Sequence, residues 1–483
     1  MPPTPRISLP SSLKAVSRNI FLWCVASLLL GISYFAITPP NAGPDEIVHA
    51  RSSWYLSENL SKIFAKEFIV NSEIPSELLI EDDTHNFDHT ACFTQRAEIQ
   101  PNCQELSSGY FSEKRFYIYY HSIPYYLLIG SAQHTFYPWL NAYESAKLTS
   151  FFICWLLIIF SLLALRNVSA DSKLILFSML LSPSCVFLFA TVNPSSFEIC
   201  AAIFFVSTLI SNGQSRSYLP ITFSGTLLAT SRPLGFIWVC IFVLYFRVAW
   251  EKFPIRIQYM TPMAAVFLTQ IWLGYDWPSP LKYENPDFEF YFEEAIREFN
   301  ESGHWFAHFY GVLGAGEIKI PMLFLFFNVV ASLTLIQAAA SDNRKKRLRQ
   351  YLVFSLGIFF VPALIQLVNS ASWPVWWQGR YAMPVFAGLM LLHTSQSRIP
   401  YLRAFVLLGI STQIYLVAIS FARFNWGLYP TSTPIIANGW SLSSTASFIF
   451  FASITLYLAL VIYLIKVKSL LSRLRSEITL ILR

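Results

Sequence analysis

Charge is the first thing in short supply. Asp, Glu, Lys and Arg make up 13% of the 483 residues, about half the share of an ordinary globular domain. A surface so poor in charge excludes a water-soluble fold for a chain of this size. Glycine is sparse too, at 18 residues, and neither a Walker-type phosphate loop nor a dinucleotide fingerprint is present, which argues against ATP-driven transport by this chain alone. No helical zinc motif occurs. His304 and His308 stand one turn apart around Trp305, a spacing that suits packing or substrate contact in an aromatic surface helix better than a metal. Internal repeats, low-complexity linkers and a soluble domain are also missing. The net charge of +6 is concentrated in Arg344, Lys345, Lys346, Arg347 and Arg349 and in the stretch Lys466 to Arg483. Such clusters beside apolar runs read as topology signals, and no nucleic-acid partner is expected.

Apolar residues are abundant: 54% of the chain is hydrophobic and 17% aromatic. The expected fold class is an all-α polytopic membrane protein. Apolar runs predict spans near Ile20–Thr38, Thr149–Leu165, Leu174–Ala190, Phe197–Ile210, Tyr218–Thr230, Leu234–Ala249, Ile257–Leu273, Ile320–Ala339, Tyr351–Leu367, Tyr381–His393, Phe405–Phe421 and Ala446–Ile465, about twelve in all. Phe197–Ile210, Tyr218–Thr230 and Tyr381–His393 fall short of the roughly 17 residues a crossing helix needs, as broken helices near a site do. The first run follows Arg6, Lys14 and Arg18 as a signal peptide would, but its length reads as a retained span.

The positive-inside rule then places both termini in the cytoplasm: residues 1–19 as a cytoplasmic segment, 20–465 as the transmembrane domain and 466–483 as a basic cytoplasmic tail. Three loops face outward, at about 39–147, 276–318 and 423–444 by the same rule. The assignment needs Phe111 to Phe136 to lie in the interface and not cross. Within the first loop, Cys92 and Cys103 fit a disulfide closing a short loop, and a metal pair much less well. The other cysteines, Cys24, Cys154, Cys185, Cys200 and Cys240, lie in or beside apolar runs, where a thiol acts as a small hydrophobe.

Chemistry-bearing residues gather at the outer span ends. Asp45 and Glu46 follow Pro39-Pro40-Asn41-Ala42-Gly43-Pro44 just past the first span, and an acid pair at a membrane boundary is a functional-site candidate. Asn193-Pro194-Ser195-Ser196-Phe197-Glu198 forms another outer junction, Ser231-Arg232-Pro233 an outer turn, and Trp376-Trp377-Gln378-Gly379-Arg380-Tyr381 opens a further span. Each has a plainer reading as a helix cap, a snorkelling arginine or an aromatic belt.

Pro44-Asp45-Glu46, Val192-Asn193-Pro194 with Glu198, and Gln378-Gly379-Arg380-Tyr381 together resemble a family of bacterial polytopic membrane proteins catalogued as domain of unknown function 2142. That family looks related to the GT-C superfamily of membrane glycosyltransferases. The likeness runs from about Thr38 to Pro384. The family's contiguous Pro-Pro-Asp-Glu is split here, its His-Pro-Pro reads His121-Ser122-Ile123-Pro124, and its Asn-Pro-Asp reads Asn193-Pro194-Ser195. A Gly-rich segment that ends in an acid in relatives ends in Glu317.

The resemblance implies a GT-C-like helical fold in the bacterial inner membrane, with an active site on the outer face. The donor would be a polyprenyl-phosphate-linked sugar, and the acceptor an envelope glycan, lipid or protein. Asp45 is the expected general base, with Glu46 orienting the acceptor or, with Asp45, holding a divalent cation such as Mg or Mn; the two acids can also exchange roles. Arg380 and Arg232 would hold the lipid phosphate. Gln378, Asn193, Glu198, Glu317, His121 and Trp377 would complete the substrate site. Direct displacement by a hydroxyl inverts the anomeric centre. Two other readings remain open: a transporter or flippase of lipid-linked sugars, and a non-catalytic subunit of an envelope-polymer assembly machine.

Overall fold

The computed structural model describes residues 11–40, 42–58, 122–167, 180–212, 218–232, 234–250, 260–265, 306–314, 318–361, 381–395, 402–426 and 443–481, with a few isolated positions besides. In chain order the helices are α1 Ser11–Ile37, α2 Glu46–Glu58, α3 Ile123–Phe136, α4 Ala142–Ala164, α5 Pro183–Phe189, α6 Pro194–Asn212, α7 Leu219–Ser231, α8 Gly235–Trp250, α9 Met322–Ala339, α10 Arg344–Ser355, α11 Met383–Thr394, α12 Leu402–Trp426 and α13 Ser444–Ile481.

Six of these contain stretches long and apolar enough to cross a membrane: Ile20–Ile37, Ala142–Ala164, Pro194–Ser211, Met322–Ala339, Ala404–Asn425 and Ser444–Leu464. Gly235–Ala249 and Met383–Thr394 are apolar but shorter. Six therefore stand among the described residues where the sequence suggested about twelve. Of the three short runs, Phe197–Ile210 grows at both ends into α6, whereas α7 and α11 stay at 13 and 12 residues. The run at Tyr351–Leu367 is entered from the basic cluster: α10 begins at Arg344, where the Asn343 side chain accepts from the amides of Lys345 and Lys346, and a π turn follows over Leu356–Phe360.

α6 is the hub, packed against α4, α7 and α11. It is buried on nearly every side, 94% of its candidate span lying inside the protein, as a helix surrounded by others must be, and its small residues Ala201, Ala202 and Ser207 are fully buried. In lipid the driving force between helices is close packing and not water exclusion, so small residues at contacts carry the architecture. The same device joins α1 to α4: a methyl built at Gly31 would lie 2.6 Å from the Phe151 ring. α1 also packs along α13, where Ser33 and Ser453 share a buried 2.9 Å hydroxyl contact.

The first long loop of the sequence reading contains a helical pair. α2 is too polar to be a span, yet nine of its thirteen residues are buried, among them Glu46, His49, Ser52 and Ser53. It crosses α3 so closely that a Cβ on Gly130 would sit 2.0 Å from the Ser53 carbonyl oxygen. The Gln133 amide donates to the carbonyls of Ala50 and Ala142, fixing α3 between α2 and the start of α4. A short hairpin, β1 Val312–Leu313 against β2 Ile318–Lys319, pairs Val312 with Lys319 and Leu313 with Ile318. Gly314 and Gly316 supply the positive φ values its turn requires, at 68° and 103°. Ser184 of α5 binds both backbone groups of Val312 and pins the hairpin to the bundle.

Candidate active site

The two neighbouring acids of the Pro-Asp-Glu turn have opposite environments. Glu46 is buried, 1% exposed, while Asp45 is exposed. Oε1 of Glu46 accepts from the Tyr143 hydroxyl at 2.7 Å and from the Val192 amide at 2.9 Å; Oε2 accepts from the Gly43 amide at 3.0 Å. Burial pushes the Glu46 carboxyl above the usual carboxylate range, opposed by the charge of Lys147 and by these three donors. Lys147 is itself buried and donates to the Thr38 and Phe35 carbonyls at the end of α1, at 2.6 and 3.3 Å. One carboxylate therefore ties together the turn after α1, the first turns of α4 and the segment before α6.

A second tie runs in parallel. The Asn193 amide donates to the Pro44 carbonyl at 3.0 Å, and its oxygen accepts from the Ser195 amide at 2.9 Å. The side chain is thus both a helix cap and a clamp on the acid turn. Gly43 is required by space here: a Cβ would lie 2.8 Å from Cβ of Thr191.

Held on both sides, Asp45 takes φ 57°, the one non-glycine residue with positive φ among those described. Asp is among the few side chains that tolerate this left-handed conformation, and strain kept in place by surrounding bonds tends to mark functional sites. Asp45 stands at the start of α2, its carbonyl accepting from the His49 amide, where the helix dipole favours negative charge.

Beside the acid turn is a cation. Arg232 Nη1 donates to Ser195 Oγ at 2.7 Å, and its guanidinium carbon lies 4.8 Å from the Tyr381 ring centroid. Ser195, where relatives carry an acid in the resemblance, thus seats the arginine as a hydroxyl acceptor. Glu198, buried one turn into α6, accepts from the Trp238 indole at 3.0 Å and lies within the electrostatic reach of Arg232. The structure thus joins Asp45, Glu46, Asn193, Glu198, Arg232 and Tyr381 in one bonded neighbourhood. Trp305, Trp376, Trp377, Gln378, Arg380, His121, Glu317, Cys92 and Cys103 lie outside the described residues. Tyr143, Lys147 and Trp238 were missed by sequence reasoning. Tyr143 and Lys147 sit four residues apart on one face of α4, a signal that was available; Trp238 gave none.

The Glu46 oxygens accept from three donors and neighbour a lysine, which disfavours a shared cation ligand role for Glu46. Among the described residues no three His, Cys, Asp or Glu side chains assemble into a ligand set.

A family model described as "Predicted membrane protein" matches residues 28–389, which takes in every element of the site described above. No curated protein and no solved structure matches the chain.

Proposed function

The chain belongs to the DUF2142 family of predicted membrane proteins, and from the geometry of its acid turn we propose that it is a GT-C-type glycosyltransferase using a polyprenyl-phosphate-linked sugar at the outer face of the membrane. The observation that carries the proposal is the division of labour between adjacent acids: Glu46 is consumed in holding the turn, which leaves Asp45 presented at its surface in a strained, fixed conformation. A general base must be accessible and rigidly placed.

In this reading the Asp45 carboxylate takes the proton of an acceptor hydroxyl as that oxygen attacks the anomeric carbon of the donor. The bond from carbon to phosphate oxygen breaks, its electron pair stays on the lipid phosphate, and the anomeric centre inverts. Arg232, steadied by Ser195 and Tyr381, offers its remaining N–H groups to that phosphate, and Arg380, next to Tyr381 in the chain, is the second candidate. The acceptor is an envelope glycan, lipid or protein.

A transporter reading draws on Glu198 and Arg232, charges associated with a candidate span. Glu198 is only the fifth residue of α6, however, and transport sites lie near the bilayer midplane. The deciding experiment incubates the purified protein with radiolabelled polyprenyl-phosphate sugars and a crude envelope-glycan acceptor. Transfer that disappears in Asp45→Asn supports the enzyme. Absence of transfer from every donor, with flipping in liposomes that survives Asp45→Asn, overturns it in favour of transport.

A further inference from the structure

α3 and the turn that follows it carry an exposed face that the bundle does not cover. Leu128, Phe136, Tyr137 and Trp139 are 50%, 44%, 41% and 75% exposed. From Ile123 to Tyr143 the chain contains no Asp, Glu, Lys or Arg. A charge-free aromatic patch of this kind is poorly suited to water.

We propose that this face is seated in the outer leaflet of the bilayer, at the boundary of headgroups and acyl chains, and that the seat fixes the height of Asp45 above the membrane. Two observations name lipid as the occupant. Trp139 precedes by only three residues the candidate span that begins at Ala142, and Phe152, Leu156, Phe160 and Leu163 of that span form an exposed stripe at helical spacing. Tryptophan and tyrosine at the mouth of a span are the side chains that partition to the membrane–water boundary.

The opposite face of α3 holds the site. His49 Nδ1 and the Tyr126 hydroxyl are 2.8 Å apart, Gly130 abuts the Ser53 carbonyl, and the Tyr125 hydroxyl meets Ser150 Oγ at 2.9 Å. Ser150 in turn donates to the Thr191 carbonyl beside the acid turn. α3 is therefore a plate with lipid on one side and α2 on the other, and Asp45 stands about 12 Å along α2 from the Ser53 crossing. A base held at a set height meets the phosphate of a lipid-borne donor at the depth where the headgroup lies; this use of the seat rests on the glycosyltransferase reading, whereas the seat itself does not.

Benzoylphenylalanine is placed at position 139, and for comparison at Asp342 in the polar turn before α10, in protein reconstituted into nanodiscs of phosphatidylethanolamine and phosphatidylglycerol. Irradiation is expected to give phospholipid adducts at 139 several-fold above those at 342. Adducts no more frequent than at 342, or cross-links from 139 to a second copy or another protein, would overturn the seat. Trp139→Asp is then expected to cut sugar transfer at least tenfold while the melting temperature holds; unchanged transfer would overturn the height control. Wild-type protein that transfers nothing but still forms the adducts refutes the enzyme reading alone.

Discussion

Replacing Glu46 by alanine removes the buried acceptor of the Tyr143 hydroxyl and of the Val192 and Gly43 amides, and the counter-charge of Lys147. Each stranded buried donor costs about 1–3 kcal/mol, and removing one partner of a buried charge pair costs about 3–5 kcal/mol. Relaxation lets these penalties overlap, so about 3–5 kcal/mol is expected in total. Asp45→Asn is the opposite case. Asparagine accepts the left-handed conformation and keeps the side chain's shape, so stability should stay within about 0.5 kcal/mol, while transfer falls about 10²- to 10⁴-fold with loss of the base. Thermal melting in detergent, followed by a transfer assay on the same preparations, separates the two. The expected result is a melting temperature several degrees lower for Glu46→Ala and a wild-type melt with almost no activity for Asp45→Asn. Equal melts for wild type and Glu46→Ala, or an Asp45→Asn protein that melts as low as Glu46→Ala, would refute the assignment of latch and base.

Arg232→Ala loses the Ser195 bond and the Tyr381 stack; the donor KM should rise about ten- to hundredfold, about 1.4 kcal/mol per decade, with Arg232→Lys recovering only part because an ammonium neither forks nor stacks. Kinetics against donor concentration check this, and an unchanged KM would remove Arg232 from the phosphate site. Gly130→Ala pushes a methyl against the Ser53 carbonyl and should destabilise by about 1–3 kcal/mol in a melt. Because the folded Glu46 carboxyl titrates above its ordinary value of 4.5, its contribution to stability is fully present below that value and is lost as pH rises through the raised one. The melting-temperature difference between wild type and Glu46→Gln should therefore move against wild type on going from about pH 4 to about pH 8, and a shift the other way would contradict the burial effect.

Membrane class was legible because composition and run length speak directly to the lipid solvent. The acid turn was legible as a candidate because prolines, a glycine and two acids at a span end form a local pattern. Which acid is buried was not, because that depends on Tyr143 and Val192, brought in from far along the chain. The Asn193 reading as a plain helix cap was half the truth: the same side chain clamps Pro44, a contact that no local spacing encodes. Span ends were blurred for a similar reason. α6 gains its first turn from Pro194, Ser195 and Ser196, residues that an apolar count passes over. α2 escaped notice because its buried residues mix Ile47, Trp54 and Leu56 with Glu46, His49, Ser52 and Ser53, with no hydrophobic period of its own.

The latch also has a schedule. Glu46 and Val192 are 146 residues apart, and at roughly 5–20 residues per second of synthesis the acid waits on the order of ten seconds for its last donor to be made. The turn after α1 is thus locked only once the chain has been made as far as the segment that leads into α6.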